Sequence, residues 1–188
     1  MSGIVPELET RRARRALKND PVSDEAVDRI MTAATLAPSC FNNQSWRFVV
    51  VREEAALSLV KSHFSKNNGW AAPSPFLILV ATKAELDCRL DAGRDYALFD
   101  TGMAVMALQM QAVREGLYVH PIAGYRAPEL RAAMGMPEDY ILITVLVLGY
   151  PADDFTHLTD KQKEMETMDR TRKPLSEVVS RETWSFPQ

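Results

Sequence analysis

The chain has 188 residues, of which 46% are hydrophobic and 25% are charged, a composition typical of one globular domain with its own core. Its formal net charge of -3 argues against a generally basic nucleic-acid binder but leaves room for a local basic patch. No apolar run approaches the roughly 18 residues of a membrane span, and no signal-like apolar core opens the chain. We therefore expect a soluble, cytoplasmic protein.

The first elements are predicted by apolar spacing and by helix-end signals. Ser23 can cap a helix that Pro38 ends. The run WRFVVV at residues 46–51 predicts a buried strand, a second helix is expected over residues 53–64, and FLILVA at residues 76–81 predicts another strand.

The clearest periodicity in the chain predicts a long, deeply packed helix that Gly116 closes. We expect a loop over residues 120–125, a short helix over 128–134 and a strand over 140–148. Strands separated by helices imply layered α and β structure. The apolar stripe of the long helix, which could also meet a partner helix, consists of Tyr96, Phe99, Met103, Met106, Met110 and Val113.

The C-terminal segment, residues 152–188, is polar and charged, and its composition predicts an arm that needs another surface to pack on. It contains the second of two arginine clusters, RTRKP at residues 170–174; the first is RRARR at residues 11–15. On a helix Arg11 and Arg15 lie one turn apart and can close on one phosphate. A solvated basic face explains each cluster equally well alone.

Two further segments could approach a ligand. Residues 39–44 carry hydroxyl and amide groups that suit a ligand with carbonyl, ring-nitrogen and polyhydroxyl edges, although turn chemistry also favours such residues. Trp46 is interpreted as the anchor of this loop in the core. Gly124, in PIAG, could admit backbone amides to a ligand or make a simple tight turn.

Motif searches indicate no self-sufficient catalytic side chain. The sequence has no GxGxxG, GxxxxGK[ST], HExxH or GxSxG motif. Cys40 and Cys88 form neither a CxxC pair nor a zinc-like spacing, so no disulfide framework and no metal are expected. Cys40 is interpreted as a small semi-buried residue rather than a reactive thiol, and the histidines as surface or loop residues. If the protein is an enzyme, a bound cofactor carries the reaction.

Five segments resemble the landmarks of the FMN-dependent nitroreductases. RRARRAL resembles their Arg-Arg-Ser-x-Arg-x-Phe opening, and APSCFNNQSWRFVVV resembles their Ala-Pro-Ser-x-x-Asn-x-Gln-Pro-Trp-x-Phe segment. EGLYVHPIAGY and VLGYP resemble later landmarks, and RTRKPLSEVV resembles the phosphate-binding C-terminal end. The likeness extends over about residues 10–179, and the order and spacing of the segments make it specific.

The resemblance implies a three-layer α-β-α fold of the α+β class with a mainly antiparallel central sheet. It also implies one domain over residues 1–188 and an intertwined homodimer, in which the arm at about 152–188 packs on the partner and the long helix joins the interface. One FMN would lie in each of two clefts built from both subunits. The catalytic residue set is empty, because FMN itself carries the hydride.

The site residues implied by the resemblance fall into three groups. The FMN phosphate and its neighbouring edge would be held by Arg11, Arg12, Arg15, Arg170 and Arg172, with backbone contacts from Ala13. The flavin and ribityl chain would meet Pro38, Ser39, Cys40, Asn42 and Gln44. The isoalloxazine would be lined by Pro121, Ile122, Ala123 and Gly124.

Three positions depart from the family pattern. Ala13 replaces the usual Ser, so only backbone can serve there, and Ser45 replaces Pro. Ala123 stands where some members carry an acidic residue, which affects substrate preference and flavin potential. Phe41, Tyr125 and Trp184 are candidates to cover the flavin, but each could equally be a packing residue.

The implied reaction is a ping-pong hydride transfer from NADH or NADPH, through FMN, to a nitroaromatic, a quinone or a similar electrophile. Within the same fold the alternatives are a specialised enal or semialdehyde reductase, a dehydrogenase or a dehalogenase. A hypothesis of another class is a non-catalytic protein that binds nucleic acid or another anion through its arginine clusters. No nucleic-acid or membrane partner is expected for the enzyme.

Overall fold

The computed structural model describes residues 3–186, in which seven α-helices and four strands are formed. None of the helices in this range is long and apolar enough to cross a membrane. Their bounds are α1 Pro6–Thr10, α2 Asp24–Thr35, α3 Glu54–Ser62, α4 Tyr96–Arg114, α5 Ala127–Ala133, α6 Asp160–Thr167 and α7 Leu175–Val178. The strands are β1 Arg47–Val51, β2 Phe76–Thr82, β3 Tyr118–Ile122 and β4 Ile141–Gly149.

The four strands form one sheet in the order β1-β2-β4-β3, and every neighbouring pair is antiparallel. β2 and β4 are central, and β2 is buried along its whole length. On one face Leu77 and Leu79 of β2 pack with Val60 of α3 and Leu130 of α5. Two helices therefore cover this side of the sheet.

The opposite face of the sheet packs against α2 and α4. Ile78 of β2 belongs to the same buried cluster as Ile30 of α2 and Leu108 of α4. Because successive strand residues point to opposite faces, β2 needs apolar residues at every position to serve both helical layers. The predicted three-layer α+β fold with an antiparallel sheet is confirmed.

The helices and strands predicted from spacing are confirmed to within a few residues, with one strand missed. Residues 120–125 were expected to form a loop, but β3 runs over Tyr118–Ile122. Pro121 hid this strand, because proline cannot donate to a ladder and is found on edge strands. β3 is an edge strand, paired only with β4, so the missing N–H breaks no required bond.

The long helix α4 has the predicted extent, but its core-facing side differs from the prediction. Its fully buried apolar residues are small or lie off the stripe: Ala97, Ala104, Leu108 and Ala112. Phe99 of the predicted stripe is 61% exposed. The small residues let α4 approach α2 and the sheet closely, and the stripe residues other than Phe99 are only partly buried.

The C-terminal arm divides into two parts with different packing. Its first part packs on its own chain: Leu158 joins the core, and the buried Glu166 carboxylate accepts the backbone N–H groups of Arg15 and Ala16. The prediction of an arm without a core contribution is wrong for this part. Residues 167–179 are exposed, and Leu175 is 67% exposed, so the second part lacks a covering surface within the chain.

Candidate functional site

One surface groove brings together arginines from both ends of the chain. It has a volume of about 560 Å³, and we call it the arginine groove. Its lining residues come from α1, α4, β3 and the arm: Leu8, Arg11, Met106, Gln109, Pro121, Arg170 and Arg172. The two arginine clusters predicted from sequence therefore meet, as a shared anion would require.

The guanidinium groups of the arginine groove have no acidic counter-ion among residues 3–186. Burial, and then repulsion by Arg172, Arg170 and Arg12, lowers the pKa of Arg11. Within residues 3–186, no Asp or Glu lies within 4.0 Å of the side-chain nitrogens of Arg11, Arg170 or Arg172. Cations held together against mutual repulsion are stabilised by an anion placed between them.

Backbone carbonyls position these arginines. Arg170 Nη1 donates to Leu8 O at 2.9 Å and to Arg11 O at 3.3 Å, which ties the arm to α1. Arg172 Nη1 donates to Thr171 O at 2.7 Å. These contacts leave several guanidinium N–H groups available, because each arginine carries five donors.

The remaining residues of the first cluster lie around the groove rather than in its lining. Arg12 Nη2 donates to Met168 O at 2.5 Å, and Ala13 is exposed. The Arg15 guanidinium lies 5.9 Å from the ring centroid of Trp70, so its charge is directed away from the groove lining. The assignment of these three residues to FMN stays a prediction.

The segment Ser39–Gln44, which we call the polar loop, satisfies much of its own hydrogen bonding. Ser39 Oγ accepts the N–H of Gln44 at 3.0 Å, and Gln44 Nε2 donates to Asn42 O at 3.2 Å. Asn42 and Gln44 have φ angles of 61° and 50°, in the left-handed region that non-glycine residues rarely adopt. Pro38 precedes the loop on the surface, and Trp46 is buried behind it with Ala104, as its predicted anchoring role requires.

Two carboxylates fasten the polar loop to the start of α4. Asp100 is 1% exposed and accepts the N–H of Cys40 at 2.7 Å, while Asp87 accepts Ser45 Oγ at 2.6 Å. Burial and repulsion by Asp87 raise the pKa of Asp100. Burial opposes ionisation of Asp87, but hydrogen bonds from Ser45, Cys88 and Asn43 outweigh it and lower its pKa. The two pKa shifts run in opposite directions, so Asp87 gives up its proton more readily than Asp100.

A disulfide joins Cys40 of the polar loop to Cys88. The expectation that the two cysteines would remain unpaired is wrong. Spacing patterns could not reveal the bond, because the cysteines are 48 residues apart and meet only when β1, β2 and α4 have assembled. In FMN binding, Cys40 can therefore offer backbone groups and a disulfide sulfur, but no thiol in this state.

The arginine groove and the polar loop lie apart on one chain. Asp100, which holds the loop, and Gln109, which lines the groove, are nine residues apart on α4, or about 13 Å along a helix axis. The two predicted halves of the FMN site are thus brought to different stretches of the same helix.

Residues 121–124 show one groove contact and two structural roles. Pro121 lines the arginine groove, and Ala123 is exposed. Ile122 is buried in the core, so only its backbone can face a ligand. A Cβ on Gly124 would lie 2.6 Å from Ser65 Oγ and 2.7 Å from Asn68 Nδ2, so these two side chains would have to shift to admit a larger residue.

His120 precedes the groove residue Pro121 and is a strand residue, not the loop residue predicted. It lies in β3, its Nδ1 contacts Arg14 O at 3.1 Å, and its ring centroid is 4.6 Å from that of Trp70. Burial lowers the His120 pKa to about 4, and repulsion by Arg15 contributes. The ring is therefore neutral at neutral pH, and Nδ1–H donates to the Arg14 carbonyl.

Among the aromatic candidates, Tyr125 is tied into the fold, because its hydroxyl donates to Leu142 O at 3.1 Å. Phe41 is 92% exposed and Trp184 is 83% exposed. Sequence reasoning missed the groove residues Leu8, Met106 and Gln109. A signal existed for Gln109, since it is a polar residue within the apolar run of α4 and becomes buried there.

A larger groove, of about 1010 Å³, lies beside β1 and α3. Its cationic groups already have partners: Arg52 pairs with Asp24, and Lys61 Nζ donates to Ala72 O and Ser74 O. The larger volume of this groove therefore does not make it the anion site. The arginine groove is the better candidate, because its arginines have no acidic partner among residues 3–186.

The match to known proteins agrees with the fold. A model of the nitroreductase family matches residues 8–67 and 53–150, so the chain belongs to that family. The resemblance carried by RRARRAL and APSCFNNQSWRFVVV, which lie within the matched residues, is thereby confirmed at the level of the family.

Three relatives indicate the range of the family around this chain. A protein of Archaeoglobus fulgidus named "Putative NADH dehydrogenase/NAD(P)H nitroreductase" is 30% identical over 167 residues, 86% of this chain and 94% of that protein. Iodotyrosine deiodinase of Nematostella vectensis is 24% identical over 203 residues, 92% of this chain and 72% of that protein. A crystal structure described as an oxidoreductase containing FMN aligns with a TM-score of 0.88 at 25% identity, over 98% of this chain and 94% of that chain.

Proposed function

We propose that the protein is an FMN-dependent NAD(P)H oxidoreductase that reduces a nitroaromatic, a quinone or a similar conjugated electrophile. The observation that carries the proposal is the arginine groove, where Arg11, Arg170 and Arg172 converge without an acidic partner in the described chain. Membership of the nitroreductase family and the FMN-containing structural relative support FMN as the anion. NADH or NADPH is the donor that the name of the archaeal relative supports.

The residues of the groove fit the phosphate end of FMN. Three guanidinium groups can surround a phosphate with charge-assisted hydrogen bonds, which are the strong ones. Neutral His120 holds the Arg14 carbonyl beneath them and adds no further positive charge. Pro121 gives the groove an apolar wall on the sheet side. Phosphate binding would therefore relieve the repulsion that lowers the pKa of Arg11.

The FMN cleft is completed by a second copy of the chain. On one chain the polar loop and the arginine groove are separated along α4, whereas a partner's polar loop can approach the groove from outside. Leu98 and Phe99 of α4, which are 51% and 61% exposed, and the exposed residues 167–179 offer apolar surface for that partner. We therefore keep the homodimer, the phosphate residues and the flavin contacts of the polar loop as parts of one proposal.

When bound, FMN supplies two-electron transfer between NAD(P)H and the electrophile, which use one site in turn. The protein contributes phosphate binding by the arginines, orientation by the polar loop and edge strand β3, and no proton-transfer side chain of its own. Sharing of one site is consistent with the lack of a GxGxxG fingerprint in the sequence. A cytoplasmic location remains a prediction.

The cofactor is tested by the visible spectrum of the purified protein. We expect a yellow protein, or a colourless protein that becomes yellow with added FMN, whose chromophore co-elutes with FMN after denaturation. Failure to take up FMN would contradict the proposal. A colourless protein that binds duplex DNA with an affinity falling steeply with salt would instead favour the nucleic-acid alternative.

The acceptor is tested by the rate of NADH or NADPH consumption with a nitroaromatic, a quinone, an enal and an iodophenol. Faster turnover of the nitroaromatic or quinone supports the proposed reaction. Release of iodide as the fastest reaction would favour a dehalogenase, the second candidate, which the iodotyrosine deiodinase relative supports. Equal, feeble rates with all four would contradict a nitroreductase.

The dimer is tested at the exposed Phe99 of α4. Phe99→Lys places a charge in the proposed interface, and we expect sedimentation to show monomers and the protein to lose FMN. Leu59→Lys is the matched control, since Leu59 is 40% exposed on α3, on the other side of the sheet. Phe99→Lys protein that remains dimeric at micromolar concentration would contradict this interface.

A further inference from the structure

The Cys40–Cys88 disulfide lies where it can control the polar loop. Cys40 belongs to the loop, whereas Cys88 belongs to the segment that precedes α4. The chain has no other cysteine, so any thiol chemistry of the protein belongs to this pair. Neither residue is fully buried, which leaves the bond accessible to a small dithiol.

The polar loop needs external restraint. Phe41, Asn42 and Gln44 have φ angles of 48°, 61° and 50°, and none of them is glycine. Such conformations persist only where the surroundings determine them. Besides the disulfide, hydrogen bonds restrain the loop, among them those from Cys40 N–H to Asp100 and from Asn43 Nδ2 to Asp87 at 3.3 Å.

The two restraints differ in what can release them. The hydrogen bonds to Asp100 of α4 and to Asp87 of the segment before it do not depend on the redox state of the surroundings. The disulfide can be opened without unfolding the sheet, since neither cysteine lies in a strand or an α-helix. Disulfides in reducing compartments are usually transient, and many of them sense redox state.

We propose that Cys40–Cys88 is a reversible redox switch that sets how tightly the protein holds FMN. This inference rests on the proposed function, in which the polar loop contacts the flavin. In the oxidised state the loop is held in one conformation. In the reduced state it samples others, and the apparent affinity falls by the fraction of loops that remain competent to bind.

The chemistry is ordinary thiol–disulfide exchange with a cellular dithiol of the thioredoxin class. A thiolate of the dithiol attacks one sulfur of the pair, the Cys40–Cys88 bond breaks, and a mixed disulfide forms. The second thiolate of the dithiol then displaces the protein sulfur. Two electrons and two protons have then passed to the protein, which carries two thiols, and the dithiol has become a disulfide. A low-molecular-weight disulfide such as oxidised glutathione reverses the exchange.

The test compares the two redox states of the wild-type protein. The protein is equilibrated with oxidised glutathione or with dithiothreitol, with a chelator present to keep metal off the thiols, and freed of small molecules without air. Alkylation and mass spectrometry then count thiols, and quenching of FMN fluorescence gives Kd. We expect no free thiol and tight FMN binding in the first sample, and two thiols with about tenfold weaker binding in the second.

Cys40→Ser together with Cys88→Ser is the variant control, because it holds no thiol that oxidised glutathione could modify. It should bind FMN with the Kd of the reduced wild-type protein under both treatments, since it cannot close the bond. A dependence of its Kd on dithiothreitol would mean that the reductant acts elsewhere, and would overturn the switch. Two alkylatable thiols in the wild-type protein after oxidation, or equal Kd values in its two states, would also overturn it.

Amide hydrogen exchange over residues 39–45 gives a reading that does not depend on FMN. Faster exchange there in the reduced protein, with unchanged exchange in β2 and β4, supports a loop-restricted switch. Equal exchange in both states overturns it. If FMN binds in neither state, the proposed function fails, while this measurement still decides whether the disulfide controls the loop.

Discussion

The arginine groove and the polar loop are both polar clusters, yet the structure treats them in opposite ways. In the groove, Arg11, Arg170 and Arg172 are gathered without an acidic partner within residues 3–186. In the loop, Ser39, Cys40 and Asn43 already have partners in their own chain. The described residues therefore leave the charges of the groove open to a ligand, whereas the fold already satisfies much of the loop.

The two regions should therefore contribute to different properties, the groove to the affinity for an anion and the loop to the conformation of its segment. Unpaired charge that the fold holds in place is available to bind an anion, and removing it relieves repulsion in the free protein. Satisfied polar groups fix the conformation of a segment, and removing them leaves a buried partner unpaired. Substitutions in the two regions should therefore differ in whether they change FMN binding or the free energy of unfolding.

The largest expected effect is on FMN binding by the arginine groove. Arg11→Ala together with Arg172→Ala removes two charge-assisted contacts to phosphate, which should weaken FMN binding by about a hundredfold or more. The free energy of unfolding without FMN should stay the same or rise, because two mutually repelling charges are gone. Fluorescence titration with FMN and urea unfolding of the apoprotein measure the two quantities.

The matched control for the groove is Arg94→Ala with Arg131→Ala, which changes the net charge equally but touches no groove residue. It should retain nearly wild-type FMN affinity. Equal weakening by both double variants would reduce the effect to general charge, and unchanged affinity in Arg11→Ala/Arg172→Ala would refute the phosphate assignment.

The next effect falls on stability and concerns the anchor of the polar loop. Asp100→Ala leaves the Cys40 N–H without its acceptor in a buried position, so we expect a loss of about 2–3 kcal/mol of unfolding free energy. Asp100→Asn keeps an acceptor oxygen and a donor toward Asp87, and should lose less than about 1 kcal/mol. Urea unfolding with the disulfide closed compares them, and equal losses would mean that stability depends on the carboxyl group itself and not on an acceptor that an amide can also supply.

Sequence alone predicted the groove better than the loop, for a physical reason. Repulsion between RRARR and RTRKP is a property of charge, which can be read without coordinates, and it predicted that an anion lies between them. The polar loop depends on partners far along the chain, namely Asp87, Cys88 and Asp100, and no spacing pattern near residues 39–44 points to them. The disulfide was missed for the same reason.

Two features of the fold were hidden by residue type. Pro121 made β3 look like a loop, although an edge strand tolerates proline where no ladder bond is needed. On α4 the large apolar residues indicated the core face, but small residues such as Ala104 and Ala112 are the ones buried. Large apolar side chains indicate a surface that is buried, but they do not indicate whether the chain's own fold or a second copy buries it.

Burial of His120 should make the free energy of unfolding depend on pH. The His120 pKa falls from 6.5 to about 4 on folding, so between these values the unfolded chain binds more protons. Stability is therefore lost as pH falls, and the His120 contribution should decrease by about 2 kcal/mol from pH 7 to pH 5. Urea unfolding at several pH values should show this slope in the wild-type protein and not in His120→Gln.

The control for this slope is His157→Gln, because His157 is an exposed residue near the arm. Its pH profile should follow that of the wild-type protein. A slope that survives in His120→Gln would assign the acid sensitivity to a carboxyl group whose pKa is lowered in the fold, such as that of Asp87, instead of to His120.

The smallest expected effect decides whether the polar loop only shapes the cleft or also binds FMN. Ser39→Ala removes the acceptor for the Gln44 N–H, but this bond is exposed and water can replace it, so the loss of stability should be below about 1 kcal/mol. Ser39→Thr keeps the hydroxyl and serves as the control. If Ser39 also contacts the flavin or ribityl chain, Ser39→Ala should weaken FMN binding about threefold to tenfold while Ser39→Thr does not. Unchanged Kd in Ser39→Ala would leave the loop with a structural role alone, because its hydroxyl would then serve Gln44 and not the cofactor.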